Sequence, residues 1–245
     1  MNNYRLQIQY DGGKYKGWQR LGDNDNTIQA KIEHILSEML ARKIEIIGAS
    51  RTDAGVHALA QIANFKVAEK LDPDKVKTYL NKYLSMDICV NGVDEVSENF
   101  HSRFNVKNKT YLYKIWNKEC SNPFARKYSM YVKEKLDLEK IILATKYFIG
   151  EHDFTAFTNA KSKTKSKVRT IESISVNEVD GFIEIRLRGD GFLHNMARRI
   201  VGTLIEIGIG RKKVEDISKI FESGKRDQTG DMADACGLYL EKIRY

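Results

Sequence analysis

One acidic residue lies in a setting that favours chemistry: Asp53, within Arg51-Thr52-Asp53-Ala54-Gly55-Val56-His57. Such a segment can simply be a turn, because Asp bonds its own backbone and Gly55 tolerates a positive φ. Alternatively, the small neighbours would admit a flat ligand, and Arg51 could keep the acid ionised while also reaching a phosphate. An ionised Asp53 could then act as a nucleophile or a general base.

A second candidate is Arg198, in the segment 189–202, GDGFLHNMARRIVG. A dinucleotide-binding fingerprint would need a third glycine where the chain has His194, so that interpretation fails. Glycines that precede a helix can still form an anion site. Met196 and Ile200 indicate a buried helical face. Because Arg198 comes early in this apolar helix, we expect it to have a buried carboxylate partner.

Two further segments combine residues that suit nucleic acid. Residues 159–169 alternate lysines with hydroxyl side chains, which is typical of a solvated loop but also of an arm that contacts phosphates. Residues 100–104 place two phenylalanines beside a histidine, a serine and an arginine. Such aromatic residues pack together more often than they stack on bases, so this segment is weak evidence when taken alone.

Composition limits the classes of protein. The chain has 245 residues and a formal net charge of +8, which suits a polyanionic partner or an anionic membrane surface. It shows no leader pattern and no apolar stretch long enough to span a bilayer. Three distant cysteines indicate a reducing compartment, and five histidines without zinc-site spacing argue against a metal centre. We therefore expect a cytoplasmic protein.

Hydrophobic periodicity predicts two units with the same order of elements. Residues 1–105 show strand, helix, strand, strand, helix, strand, with Asn26 and Asp72-Pro73 as helix starts. Residues 106–245 repeat that order with additions, and Asp137 begins a helix. The predicted fold class is α+β, with two ferredoxin-like (RNP-like) units. Their sheets are expected to be mixed, mainly antiparallel and packed side by side, with a basic cleft between them.

An ordered set of motifs resembles the tRNA pseudouridine synthase A family. The matching segments are Tyr10-Asp11-Gly12, Gly17-Trp18-Gln19-Arg20, residues 48–61, 100–104, 109–113, 153–157, 168–171, 191–202 and 237–240. They follow the family order and extend along the whole chain. Each segment alone is modest evidence, but the ordered set is highly specific.

The resemblance implies a cofactor-free isomerase that converts uridine to pseudouridine at positions 38–40 in the anticodon stem-loop of tRNA. It implies that Asp53 is the catalytic carboxylate, that Arg198 pairs with it, and that Tyr111 stacks on the target base. Leu238 would line the pocket, and Arg51 would assist base flipping. The remaining implied substrate contacts are Phe100, His101, Ser102, Arg103, Phe104, Lys161, Ser162, Lys163, Thr164 and Lys165. Family resemblance also implies a homodimer.

Two alternatives stay open at this stage. A paralogue with the same chemistry could act on ribosomal RNA, because the sequence departs from the family pattern at Ala60 and at residues 231–236. An RNA-binding protein without catalysis is the other alternative, although the retained Asp53 argues against it.

Overall fold

This computed structural model describes residues 1–22, 25–158 and 166–245, which form ten strands and five α-helices. The chain divides into two compact units, which are residues 1–107 with 239–245, and residues 108–238. Hydrophobic periodicity predicts that the first unit ends at residue 105 and that the last strand belongs to the second unit. In the structure, residues 239–245 belong instead to the first.

The first unit alternates strands and helices in the predicted order. Its elements are β1 (Asn2–Tyr10), α1 (Ile28–Met39), β2 (Ile47–Gly48), β3 (His57–Val67), α2 (Pro73–Tyr83) and β4 (Ile88–Val96). Strand β1 pairs antiparallel with both β3 and β4, and β2 pairs antiparallel with β3. The resulting strand order, β4-β1-β3-β2, is that of a ferredoxin-like unit.

Helix starts in this unit follow capping chemistry. Asp72 accepts hydrogen bonds from the Asp74 and Lys75 amides at 3.0 and 3.4 Å, and Pro73 occupies the first helical position, as predicted. For α1 the prediction was wrong by one residue. Thr27 caps the helix, while Asn26 donates its side-chain amide to the carbonyl of Lys14 at 2.8 Å.

The second unit is built on a four-stranded antiparallel sheet. Its elements are β5 (Asn108–Trp116), β6 (Met130–Tyr131), α3 (Leu138–Thr145), β7 (Gly150–Asp153), β8 (Val168–Val179), β9 (Phe182–Gly189), α4 (Met196–Gly208) and α5 (Asp216–Ser223). The strand order is β5-β9-β8-β7, and the short β6 runs parallel to β5. Asp137 caps α3, as predicted. Edge strand β7 was not predicted.

The chain ends with β10 (Leu238–Arg244), whose Tyr239 and Leu240 pair parallel with His57 and Ala58 of β3. Periodicity identifies a strand but does not say which sheet edge it will join, which explains the difference from the predicted division. Among the described residues, no helix is both long and apolar enough to cross a bilayer. The fold is α+β, with mixed, mainly antiparallel pairing, as predicted from the sequence.

Candidate active site

Asp53 lies in the loop that joins β2 to β3, and backbone hydrogen bonds hold this loop on both sides. The Trp18 amide donates to the Thr52 carbonyl at 3.0 Å, and the Val56 amide donates to the Asp53 carbonyl at 3.2 Å. Gly17 permits the approach, since its φ is +96° and a Cβ there would lie 2.6 Å from the Thr52 oxygen. The conformation of the loop is therefore fixed by neighbouring main chain.

Neutral polar side chains also form hydrogen bonds with this loop. The Tyr10 hydroxyl lies 2.7 Å from the Thr52 hydroxyl in a buried hydrogen bond. Gln61 receives the Ser50 amide at 3.2 Å and donates to the Ser50 carbonyl at 2.7 Å. Asp53 itself is half-buried. A carboxylate on a rigid turn, partly shielded from water, is suited to act as a base or a nucleophile.

Arg51 and Arg103 are distant in sequence but close enough to interact electrostatically. Partial burial, and secondarily the positive charge of Arg103, lower the pKa of Arg51 below its ordinary value. Both residues are exposed on the first unit. Two cations that repel each other at a surface are a favourable arrangement for a shared anion such as phosphate.

Ser102, one of the predicted substrate contacts, is held inside the first unit. It is fully buried, its hydroxyl donates to the Ile47 carbonyl, and its amide donates to the Asn64 side chain at 2.9 Å. Ser102 therefore fixes the segment 100–104 to the sheet, and its described contacts are structural.

The rest of that segment divides into packed and exposed residues. Phe100 packs against Tyr245 with ring centroids 4.9 Å apart. His101 receives the amides of Arg103 and Phe104 through Nδ1, at 3.1 and 3.3 Å. The Phe104 side chain is 76% exposed. Arg103 and Phe104 are thus the members of this segment that the structure presents to solvent.

Tyr111 lies on β5, opposite Leu187 of β9, and is only 6% exposed. Phe192 meets its ring edge-on, with centroids 4.9 Å apart. This packing limits the rotation of the ring, so Tyr111 has a defined orientation before any ligand binds.

Arg198 lies in the first turn of α4 and is half-buried. Its Nε donates to the Ala233 carbonyl at 2.7 Å, and the Ala233 amide donates to the Arg198 carbonyl at 3.2 Å. Within this unit the partner is a backbone carbonyl, where the sequence analysis expects a buried carboxylate. The ion pair with Asp53 stays a prediction.

Close backbone packing fixes the position of Ala233 beside the helix. A Cβ on Gly202 would collide with the carbonyl of Asp231, and a Cβ on Gly230 would lie 2.6 Å from the Gly202 oxygen. The Gly230 amide also donates to the Thr203 hydroxyl at 3.0 Å. The segment 229–233 consequently lies directly on α4.

Leu238, the predicted pocket residue, is 4% exposed and begins β10. The residues before it are anchored by Tyr113, whose hydroxyl donates to the Asp234 carbonyl at 2.8 Å. Burial also raises the pKa of the nearby Cys236 thiol. These features indicate an apolar environment around the start of β10.

The sequence pattern did not single out the buried charge of Arg199. Arg199 is 8% exposed, and its Nη1 donates to the Thr229 hydroxyl at 2.9 Å. Helical spacing could have revealed it, because Met196 and Thr203 lie three residues before and four after, on the same buried face.

The five predicted contacts Lys161, Ser162, Lys163, Thr164 and Lys165 lie outside the described residues. Within residues 1–22, 25–158 and 166–245, no group of three or more His, Cys, Asp or Glu side chains is arranged to hold a metal ion.

Comparison with known proteins gives one consistent result. A family profile described as tRNA pseudouridine synthase matches residues 7–105 and 144–245. The tRNA pseudouridine synthase A of Bacillus sp. (strain KSM-64) is 59% identical, with 100% of both chains aligned. The tRNA pseudouridine synthase A 2 of Bacillus cereus (strain ZK / E33L) is also 59% identical over 100% of both chains. That of Clostridium tetani (strain Massachusetts / E88) is 47% identical over 99% of this chain and 98% of its own.

Among solved structures, a chain from the crystal structure of a Cbf5-Nop10-Gar1 complex aligns with 82% of this chain. The match covers 54% of that chain, with 13% identity and a TM-score of 0.36. Similarity at this level supports no structural argument.

Proposed function

Because the chain belongs to the tRNA pseudouridine synthase family, we propose that it isomerises uridine to pseudouridine at positions 38–40 in the anticodon stem-loop of tRNA. The full-length similarity to tRNA pseudouridine synthases, at 59% identity, carries this proposal. A ribosomal RNA substrate and a purely RNA-binding role are not favoured, since no relative named above is described in those terms.

The reaction breaks the bond between ribose C1′ and uracil N1, turns the base, and rejoins it through C5. The base must first leave its stack, which costs a few kcal/mol. In our proposal Tyr111 recovers part of this cost by stacking on the extruded uracil, a contact worth about 1–3 kcal/mol per base. The edge contact from Phe192 supports this role, because it already holds the ring in one orientation.

Asp53 is the proposed catalytic carboxylate. It attacks the sugar or the base, or it removes a proton, and Arg198 keeps it ionised. The backbone hydrogen bonds around Thr52 and Val56 support the proposal because they fix the loop without using the carboxylate.

Leu238 is proposed to exclude water from the sugar. If water captured the developing cation at C1′, the product would be a free base and not a rearranged nucleoside. The burial of Leu238 supports this role. Arg51 and Arg103, together with residues 161–165, are proposed to contact tRNA phosphates, and the mutual repulsion of the two arginines supports a shared anion.

Tritium release from RNA labelled at uridine C5 tests the proposal, because C5 loses its hydrogen only when the new glycosidic bond forms. We expect the wild type to release tritium from an unmodified tRNA transcript and not from ribosomal RNA fragments. Asp53→Asn should lower the rate by at least about 10³-fold. Asp74→Asn, which removes an exposed carboxylate from α2, serves as the matched control and should retain full activity.

Each alternative has its own outcome in this assay. Tritium release from ribosomal RNA alone would identify ribosomal RNA, and not tRNA, as the substrate. Binding of tRNA without tritium release by the wild type or any variant would support a non-catalytic RNA-binding protein.

We also propose a homodimer in the cytoplasm, on the basis of family resemblance and a tRNA substrate. Size-exclusion chromatography with light scattering should give about twice the chain mass, and a monomer would contradict it.

A further inference from the structure

A pocket in the second unit contains none of the candidate active-site residues. It is an open pocket of about 420 Å³, and its lining residues are Arg199, Arg226, Asp227, Thr229, Gly230, Asp231 and Met232. None of these seven residues has a role in the proposed reaction. The 3₁₀ turn Arg226–Gln228 and the segment that follows it form much of the lining, opposite α4.

Arg199 is the unusual member of this lining. Its side chain is more than nine-tenths buried, and its Nε is buried without a hydrogen-bond acceptor in the part of the chain that the structure describes. Among the described residues, the hydrogen bond of this guanidinium is the one from Nη1 to Thr229. A buried charged donor without an acceptor is costly and rare in a folded protein, so its retention needs a reason.

The charges around Arg199 are mostly positive. Burial lowers the pKa of its guanidinium, and Arg226 and Arg198 lower it further, against a smaller opposing effect of Asp231. Arg226 is half-buried, and no hydrogen bond or ion pair of its guanidinium is found among the described residues. Two arginines therefore line one pocket without a carboxylate bound between them.

We propose that the pocket lined by Arg199, Arg226, Thr229 and Gly230 binds a phosphate group. Phosphate oxygens point in several directions, so one group accepts from two guanidinium groups at once. Such a group also relieves the repulsion between the two arginines. The lining acids Asp227 and Asp231 are both exposed, and they weaken the site without occupying it.

The phosphate comes either from an RNA backbone or from a free anion. The RNA source rests on the proposed function and would extend the contact surface beyond Arg51 and Arg103. A free phosphate or pyrophosphate would be independent of that function. Both share the same chemistry, so the first experiment uses inorganic phosphate alone.

Calorimetric titration of the full-length protein with inorganic phosphate at low ionic strength tests the site. We expect saturable binding by the wild type, about tenfold weaker binding by Arg226→Gln, and about threefold tighter binding by Asp231→Asn. Lys213→Gln removes an exposed charge of the same unit from outside the pocket and should leave the affinity unchanged. Arg226→Gln is preferred to an Arg199 variant because it leaves the bond to Thr229 intact.

The opposite signs expected for Arg226→Gln and Asp231→Asn distinguish a site from a general loss of stability. Absence of phosphate binding, or equal affinity in the wild type and both variants, overturns the proposal. Ethylation interference on bound tRNA then identifies the source. Ethylated phosphates that weaken tRNA binding by the wild type but not by Arg226→Gln indicate that the RNA backbone supplies the phosphate. Identical interference patterns for the two proteins indicate a free anion.

Failure of the proposed function remains distinguishable. If the protein binds phosphate but releases no tritium, the proposed phosphate site stands and the proposed isomerase activity fails. If the protein releases tritium but binds no phosphate, only the proposed phosphate site fails.

Discussion

The Asp53 loop and the Arg198 turn hold their charged residues in different ways. Around Asp53, main-chain bonds to Thr52, Val56 and the neighbouring segment fix the loop, and the buried hydroxyl of Tyr10 adds a neutral support. At Arg198, the guanidinium itself binds the Ala233 carbonyl. In the first region main-chain bonds hold the loop that carries the charged residue, whereas in the second the charged side chain itself holds the neighbouring segment.

This difference has consequences for mutation. The main-chain bonds that hold the Asp53 loop are kept when the side chain is replaced, so we expect a loss of activity at Asp53 to report mainly on chemistry. An arginine that also holds a neighbouring segment cannot be replaced so cleanly. We therefore expect activity and stability to separate in the first region and to change together in the second.

The largest effects on stability are expected where backbone approaches backbone in each region. Gly17→Ala places a side chain on a residue with a positive φ, and its new Cβ also approaches the Thr52 carbonyl. In Gly202→Ala the new Cβ collides with the Asp231 carbonyl. We expect Gly17→Ala to lose about 2–5 kcal/mol of unfolding free energy and Gly202→Ala about 1–3 kcal/mol. Urea unfolding measures both.

Gly210→Ala is the control for the glycine pair. Gly210 has a φ of +82°, and a Cβ there would meet no atom within 4 Å, so it isolates conformational strain from collision. A loss of about 1 kcal/mol is expected. If Gly17→Ala costs no more than Gly210→Ala, the close approach does not support the Asp53 loop.

The next effect is expected at Arg198. Arg198→Met should lower kcat/KM by about 10²-fold and also destabilise the protein by about 1.5–3 kcal/mol, through loss of the charged donor to Ala233. Asp53→Asn keeps the main-chain bonds of its loop and should change the unfolding free energy less than Arg198→Met does. Kinetics and urea unfolding on both variants compare the two regions directly. Equal stability of Arg198→Met and the wild type would remove the proposed distinction.

Sequence was sufficient for the features that depend on local chemistry. Asp72, Pro73 and Asp137 begin helices because the chemistry of an N-cap is local to a few residues. The Asp53 loop was also placed between its two strands. The error at Asn26 has the same local origin, since Asn and Thr both suit the cap and a contact to Lys14 decides between them.

Sequence was insufficient where distant segments meet. The parallel pairing of β10 with β3 joins residues more than 180 positions apart, and no local pattern encodes that choice. Ser102 resembled a surface contact but is buried against Ile47. Of the adjacent arginines, Arg199 is the more buried, because a helix turns each successive side chain by about 100°.

A smaller effect is expected at Tyr111, where the ring and the hydroxyl can be tested separately. Tyr111→Leu removes the aromatic face and should lower kcat/KM by about tenfold, whereas Tyr111→Phe should stay within about threefold of the wild type. Both variants keep an apolar side chain beside Phe192. If Tyr111→Phe loses as much as Tyr111→Leu, the hydroxyl and not the stacking face is the important group.

The smallest effect is a pH dependence of stability near the Asp53 loop. Burial, reinforced by the hydrogen bond to Asp87 and opposed by that to Ser85, raises the pKa of Tyr15 to about 12. A raised pKa means that the folded state retains a proton which the unfolded state releases above about pH 10. Stability from this group is therefore complete below pH 10 and is lost as the pH rises towards 12.

Tyr15→Phe should reduce the loss of stability between pH 9 and pH 11, measured as the shift in urea midpoint. The backbone carbonyl of Tyr15, which receives the Gly55 amide at 3.3 Å, is unchanged by this substitution. Activity at pH 7 should accordingly be retained, because the bond from Gly55 to the main chain of Tyr15 is kept. Tyr83→Phe, at a tyrosine that is 52% exposed, is the control for loss of a hydroxyl. If both variants show the same pH dependence as the wild type, Tyr15 does not link alkaline unfolding to this region.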